Sequence, residues 1–444
     1  MNKITNKHFL SLLGLAVLLS ACSGKHSGTE TEKPEQNKST TIPKNTTIEP
    51  KLYLEHSGSM FFYDGVNTHG EFKNTLVQLM QGFEEIKPKT SLVYIVNDSV
   101  YKYPQSLNEL ITSQNIFANK IGNPAYTDFQ IIFDTMLKDL KEDQLSILFS
   151  DLIYSGKNSQ GKIPSRIMDE AEQLCRGSFT NYSPNTSVLI LKMNSDYQGL
   201  YYPYNSPNKG KKYSGNRPYY ICLFAKNNTM AKFLKDDKYL KIRDFEKLPS
   251  FQKKFFFSNG TLLSQPYYTI LESDPDGRGK FNGGDRDLNK NGIHAIKDVE
   301  APHSKSEKMR ICVAVKFPKG AMEESEIVNV NNYQIDGYKD DFKLIAVEPV
   351  NRKIDGATHK LILEANKAGG GEREVLIKFK RNFPPQWVQD SHTGDDTNMD
   401  ANNTSFNNTT FGFKNMMNGI NSAFSKPNSA DNNYYFTLKL NLQD

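Results

Sequence analysis

The stretch Leu52-Tyr53-Leu54-Glu55-His56-Ser57-Gly58-Ser59-Met60 joins a short apolar run to a carboxylate, two hydroxyls and a glycine. The apolar part has the length and composition of a strand buried on both faces, as strands of parallel sheets are. Residues 91–96, 145–149, 187–191 and 219–224 repeat that pattern. Between them, residues 72–83, 129–140 and 163–174 carry apolar side chains at helical spacing, such as Leu76, Leu79, Met80 and Phe83 in the first. The alternation predicts an α/β doubly wound domain of parallel strands over residues 51–245. In such a sheet the ligand site lies at the carboxyl ends of the strands.

Those ends carry a coherent set of groups. Glu55, Ser57 and Ser59 follow the first strand, Thr127 precedes the helical run that starts at Phe129, and Asp151 follows the strand at 145–149. A parallel sheet brings these points to one edge. Hydroxyls and carboxylates are hard oxygen donors, the kind that Mg²⁺ or Mn²⁺ takes in octahedral coordination with water in the remaining places. Gly58 lets the backbone turn tightly between the two serines.

The set resembles the metal-ion-dependent adhesion site of a von Willebrand factor A domain. That family's Asp-x-Ser-Gly-Ser-Met signature stands here as Glu55-His56-Ser57-Gly58-Ser59-Met60, its Thr-Asp pair as Thr127-Asp128, and its strand-end aspartate as Asp151. The resemblance spans residues 50–240. It implies a Rossmann-like fold, a divalent cation on Glu55, Ser57, Ser59, Thr127 and Asp151, and a ligand whose acidic group completes the coordination. Three departures stand out: Glu55 replaces aspartate, residues 61–70 are inserted before the first helix, and Leu152 replaces a common glycine. The inserted Phe61, Phe62 and Tyr63 either rim a partner site or cover the sheet edge.

From residue 248 to 444 the helical alternation fades. Strand candidates at 267–271, 309–317, 342–350, 359–364, 374–379 and 434–442 are separated by Gly, Asn, Asp and Pro clusters, as in a β-rich, sandwich-like domain. Residues 411–424 read as a helix and 390–410 as a long exposed loop. Within an acidic, glycine-rich loop at 274–298, Asp287, Asn289, Asn291 and Asp298 take positions one, three, five and twelve of a pattern that resembles an EF-hand or dockerin calcium loop. Without flanking helices, a structural Ca²⁺ site and a metal-free Asx-rich turn both stay open.

The first 21 residues read as a signal peptide, with Lys3 and Lys7 ahead of an apolar stretch too short to span a bilayer. Leu19-Ser20-Ala21-Cys22 resembles the lipobox of bacterial lipoproteins, which implies a lipid-modified Cys22 and membrane anchorage by acyl chains. Ser23 after the cysteine favours the outer membrane and leaves the facing open. Residues 22–50, rich in Ser, Thr, Lys, Glu, Asn and Pro, read as a flexible tether. Of the 444 residues, 37% are apolar and 24% charged, with net charge +5, so no strong bias toward nucleic acid exists. Cys175, Cys222 and Cys312 favour buried free thiols; one disulfide among them stays open, with no pair fixed by spacing. No zinc-protease or phosphate-loop motif occurs, and His56 is a strand-end neighbour of Ser57 rather than its catalytic base.

The sequence therefore points to a non-enzymatic, membrane-anchored binding protein that takes an acidic protein or glycan ligand through Mg²⁺ or Mn²⁺. A structural envelope-assembly subunit with a degenerate metal site and an envelope hydrolase are the alternatives.

Overall fold

Strand β1 (Glu49–Glu55) is buried along all but its first residue, because parallel partners flank it on both sides. These are β2 (Leu92–Val96) and β4 (Gln144–Ser150), which set Glu55 opposite Val96 and Leu54 opposite Phe149. A short β3 (Val100–Lys102) closes the outer edge by pairing antiparallel with β2. The computed structural model describes residues 46–443 apart from 155–160, 207–208, 259–265, 284–291, 301, 303–306, 338–341, 351–355, 366–370, 399–401, 403–404 and 426–433.

The amphipathic runs form helices as their spacing predicts. Helix α1 (Glu71–Glu85) buries Phe72, Leu76, Leu79, Met80 and Phe83 against the sheet's core. After the short α2 (Leu107–Thr112), α3 (Phe129–Lys138) and α4 (Pro164–Thr180) bury Phe133 and Phe179 in a second cluster that includes Tyr53 and Leu148 of the sheet. Successive residues of a strand point to opposite faces, so Tyr53 and its neighbours Leu52 and Leu54 enter different cores.

Past β4 the expected parallel succession gives way. Strands β5 (Thr186–Tyr201) and β6 (Lys211–Lys226) form one long antiparallel hairpin, and it is β6 that pairs with β4, also antiparallel. Beyond α5 (Asn227–Lys235), β7 (Phe251–Phe257) adds antiparallel to β5. The sheet runs β3-β2-β1-β4-β6-β5-β7 and is mixed, not all parallel. The turn after β5 is too short for a helical crossover, and an adjacent pair joined that way must run antiparallel. Since β7 belongs to this sheet, a domain boundary at 245–248 falls inside it.

Further along the chain come β8 (Tyr268–Ile270), β9 (Lys280–Gly283), β10 (Ala295–Glu300), β11 (Met309–Val315), β12 (Tyr333–Asp336), β13 (Phe342–Pro349), β14 (His359–Ala365), β15 (Arg373–Lys380) and, after two short strands described below, β18 (Tyr434–Leu442). They make a five-stranded sheet, β12-β15-β18-β10-β9, and a four-stranded one, β13-β14-β11-β8. All pairings are antiparallel except β10 with β18. Both contribute to the core that α1 covers, with Phe317 against Phe379 and Phe436.

The stretch expected as an exposed loop at 390–410 is instead tied to the first sheet. Preceded by the one-turn α6 (Glu324–Ile327) and by α7 (Gln386–Asp390), it includes the paired short strands β16 (His392–Thr393) and β17 (Thr410–Phe411). Ser391 and Asp396 are buried in it, and hairpin groups satisfy them. Tyr201 and the Tyr204 backbone both donate to Asp396, at 2.6 and 3.1 Å, and Lys192 donates to Ser391 at 2.7 Å. Helix α8 (Phe413–Phe424) then packs on α4 so closely that a side chain at Gly419 would meet the Glu172 carbonyl. Cys175, Cys222 and Cys312 are buried free thiols. Among the described residues no helix is long and apolar enough to cross a membrane. Cys22 lies outside them.

Candidate metal centre

Strand ends and the loop before α3 bring Glu55, Ser57, Ser59, Thr127 and Asp151 together, as the sequence predicts. Thr127 donates to one Glu55 oxygen at 2.6 Å, and the hydroxyl of Ser150 donates to the other. Ser59 donates to Asp151 at 2.7 Å and lies 3.1 Å from the Ser57 hydroxyl. The network therefore has two carboxylate ends, with the serines between them and the cleft. Asp128, the second half of the Thr-Asp pair, instead caps α3 by accepting from the Ile131 backbone at 3.1 Å.

Both carboxylates are 1% exposed. Burial, then repulsion from Asp151, pushes the Glu55 carboxyl up to about 8; burial also raises Asp151, opposed by the Ser59 hydrogen bond and by Arg217. Two acids pushed up together mark a site short of positive charge. A cleft of about 310 Å³ opens beside them, with Glu55, Ser57, Ser59 and Thr127 in its lining. Among the described residues no three His, Cys, Asp or Glu side chains gather as a metal-binding group. Here two carboxylates lie among four hydroxyls, those of Ser57, Ser59, Thr127 and Ser150, a hard-oxygen donor set that fits Mg²⁺ or Mn²⁺ chemistry.

Sequence reasoning missed four residues that shape this edge. Asn97, fully buried after β2, donates to the carbonyls of His56 and Ile121 at 3.3 and 2.9 Å, and its own carbonyl accepts from Asp128 N at 2.9 Å. It thus ties the β1 end to the loop carrying Thr127. Ser150 caps Glu55. Arg217 on β6, 1% exposed, lies over the Tyr201 ring at 4.8 Å and donates to the Phe406 carbonyl at 2.6 Å. Tyr202, just past β5, walls the cleft so tightly that a side chain at Gly58 would meet its ring at 3.2 Å. The strand-end rule that found Ser57 applies equally to Asn97 and Ser150; Arg217 and Tyr202 arrive from the hairpin, which the sequence pattern did not reveal.

No protein-family model, curated protein or solved structure matches the chain.

Two of the three inserted aromatics pack onto the hairpin, and the third is partly exposed. Tyr63 is buried and donates to the Pro218 carbonyl at 2.6 Å, Phe62 packs on Tyr197, and Phe61 is 40% exposed. His56 is buried against Phe117, where burial lowers its pKa. Of the calcium-loop residues, Asp287, Asn289 and Asn291 lie outside the described residues. Asp298 sits in β10 at a register shift and accepts from Asn282 at 2.9 Å. Ser391 and Lys192 form a nucleophile-and-base type of pair, with burial pushing Lys192 down to about 8. Ser391 is fully buried, however, and its hydroxyl donates to the Trp387 carbonyl at 2.5 Å.

Proposed function

We propose that the protein is a membrane-anchored lipoprotein, attached through Cys22, that binds an acidic protein or glycan ligand through Mg²⁺ or Mn²⁺. Ser57, Ser59, Thr127 and Asp151 would hold the cation, with Glu55 reaching it through water. The cation would supply a Lewis-acidic position for a ligand carboxylate. The observation that carries this reading is the pair of buried, under-compensated carboxylates joined by hydroxyls beside an open cleft. In the von Willebrand factor A family, which the motif resembles, such a set binds ligands rather than catalysing a reaction.

Calorimetric titration of the full chain with Mn²⁺ tests it. One site is expected, lost in Ser57→Ala/Ser59→Ala with the fold retained by circular dichroism. No heat of binding, or binding that survives the double substitution, would sink the adhesion-site reading. It would favour the second one, an assembly subunit with a metal-free docking edge. One feature favours that alternative: both Glu55 oxygens are already engaged by Thr127 and Ser150. Anchorage is tested separately, since Cys22→Ser should move the protein from the membrane fraction to the soluble one.

A further inference from the structure

A second cleft, about 350 Å³ in volume, opens between the segment that follows β6 and the turn that follows β11; it shares no lining residue with the metal centre. Its wall is mainly apolar, with Leu234 and Phe317 buried and Leu240 40% exposed. Its charged residues are one-sided: Lys235, Lys316, Lys319 and Arg243 against the single acid Asp237.

These cations are not all neutralised by the protein. Lys319 pairs with Asp244 at 2.9 Å. Arg243 is 3% exposed; it pairs with Asp237 at 3.9 Å and donates through another nitrogen to the Phe233 and Asp236 carbonyls, while its buried Nε has no partner among the described residues. Lys235 and Lys316 make no ion pair among the described residues, and burial lowers the Lys235 pKa. Apolar walls with a few convergent polar groups, at a volume of hundreds of Å³, are the usual make-up of a small-molecule site.

We propose that this cleft binds an anionic amphiphile of the free fatty-acid class, its tail against Leu234, Leu240 and Phe317 and its carboxylate among Lys235, Lys316 and Arg243. The head group answers the charge of Lys235 and Lys316, and the tail covers the exposed part of Leu240 beside Leu234 and Phe317. Nothing in this assignment depends on the metal centre.

The test is calorimetric titration of the full chain with decanoate and, in parallel, with the neutral decan-1-ol. Decanoate is expected to bind at one site, with decanol about tenfold weaker or worse. Lys235→Gln/Lys316→Gln should weaken decanoate by about tenfold and leave decanol unchanged. Leu240→Asp, at a 40% exposed position and with the fold checked by circular dichroism, should weaken both. Equal affinity for acid and alcohol, or decanoate binding indifferent to both variants, would overturn the proposal. So would association with phosphatidylglycerol vesicles in a chain that ignores decanoate, which would make the surface a bilayer contact.

Discussion

Glu55 differs from the aspartate of the motif it resembles by one methylene, and its surroundings show what the extra length does. It carries the carboxylate to where Thr127 and Ser150 cap both oxygens. It also leaves the group fully buried near Asp151, which pushes it up to about 8. In the unfolded chain the same group titrates near 4.5, so between these values the native state holds the extra proton. The slope of stability against pH is then negative: this contribution is full below the unfolded value and is lost as pH rises through about 8. In EDTA, the melting temperature should fall from about pH 5 to about pH 8. Glu55→Gln should make that fall shallower, not abolish it, because burial also raises Glu326 to about 7 and Asp396 to about 6. Added Mn²⁺ should stabilise more at the alkaline end, where the carboxylates have lost the protons that compete with it. A thermal series with the same slope in both proteins would remove Glu55 as its cause.

At the level of elements, the turn at residues 60–64, which opens the insertion, and the β5–β6 hairpin act as one piece. Gly199 makes their contact possible, since a side chain there would meet the Phe62 ring at 1.8 Å, and Tyr63 is held to the hairpin at Pro218. Gly199→Ala should therefore cost about 1–3 kcal/mol by overpacking. It should also weaken Mn²⁺ binding, because the turn begins one residue after Ser59. Urea denaturation and the Mn²⁺ titration read the two effects; unchanged stability would show that the turn is not seated on the hairpin. This contact also marks where sequence reading stops. The register of apolar residues located α1, α3, α4 and α8, and most strands, because periodicity is a local property. It could not give strand direction: residues 188–193 and 219–225 are uniformly buried, and a strand buried on both faces looks the same read either way. Ser57, Ser59, Thr127 and Asp151 were legible because the ends of β1 and β4 and the loop before α3 meet at one edge. Arg217 and Tyr202 depend on the hairpin's long-range pairing and left no local mark.

For the whole molecule, the path of the chain decides how it unfolds. Residues 44–444 form one compact unit, although their sheets differ in grammar. The reason is the return of the C-terminal part onto the first sheet. Phe413 stacks on Tyr220 at 4.3 Å, Met417 and Phe424 share a cluster with Phe133 and Phe257, and Ser183 donates to the Ala423 carbonyl at 2.8 Å. An independent N-terminal domain would leave those rings facing water, a large apolar exposure at about 25 cal/mol per Å². Scanning calorimetry of the full chain should therefore give a single transition whose calorimetric and van't Hoff enthalpies agree. Phe413→Ala, which empties a fully buried site, should cost about 3–5 kcal/mol and lower the temperature of that one transition. If Phe413→Ala split the profile, with an early step that left the strands β11, β14, β15 and β18 folded, the C-terminal return would be a cover and not part of the cooperative core. A common shift of the whole transition would mean that the cleft at Glu55 and the distant β-rich sheets share one folding equilibrium. Ligand binding at the cleft would then raise the melting temperature of both together.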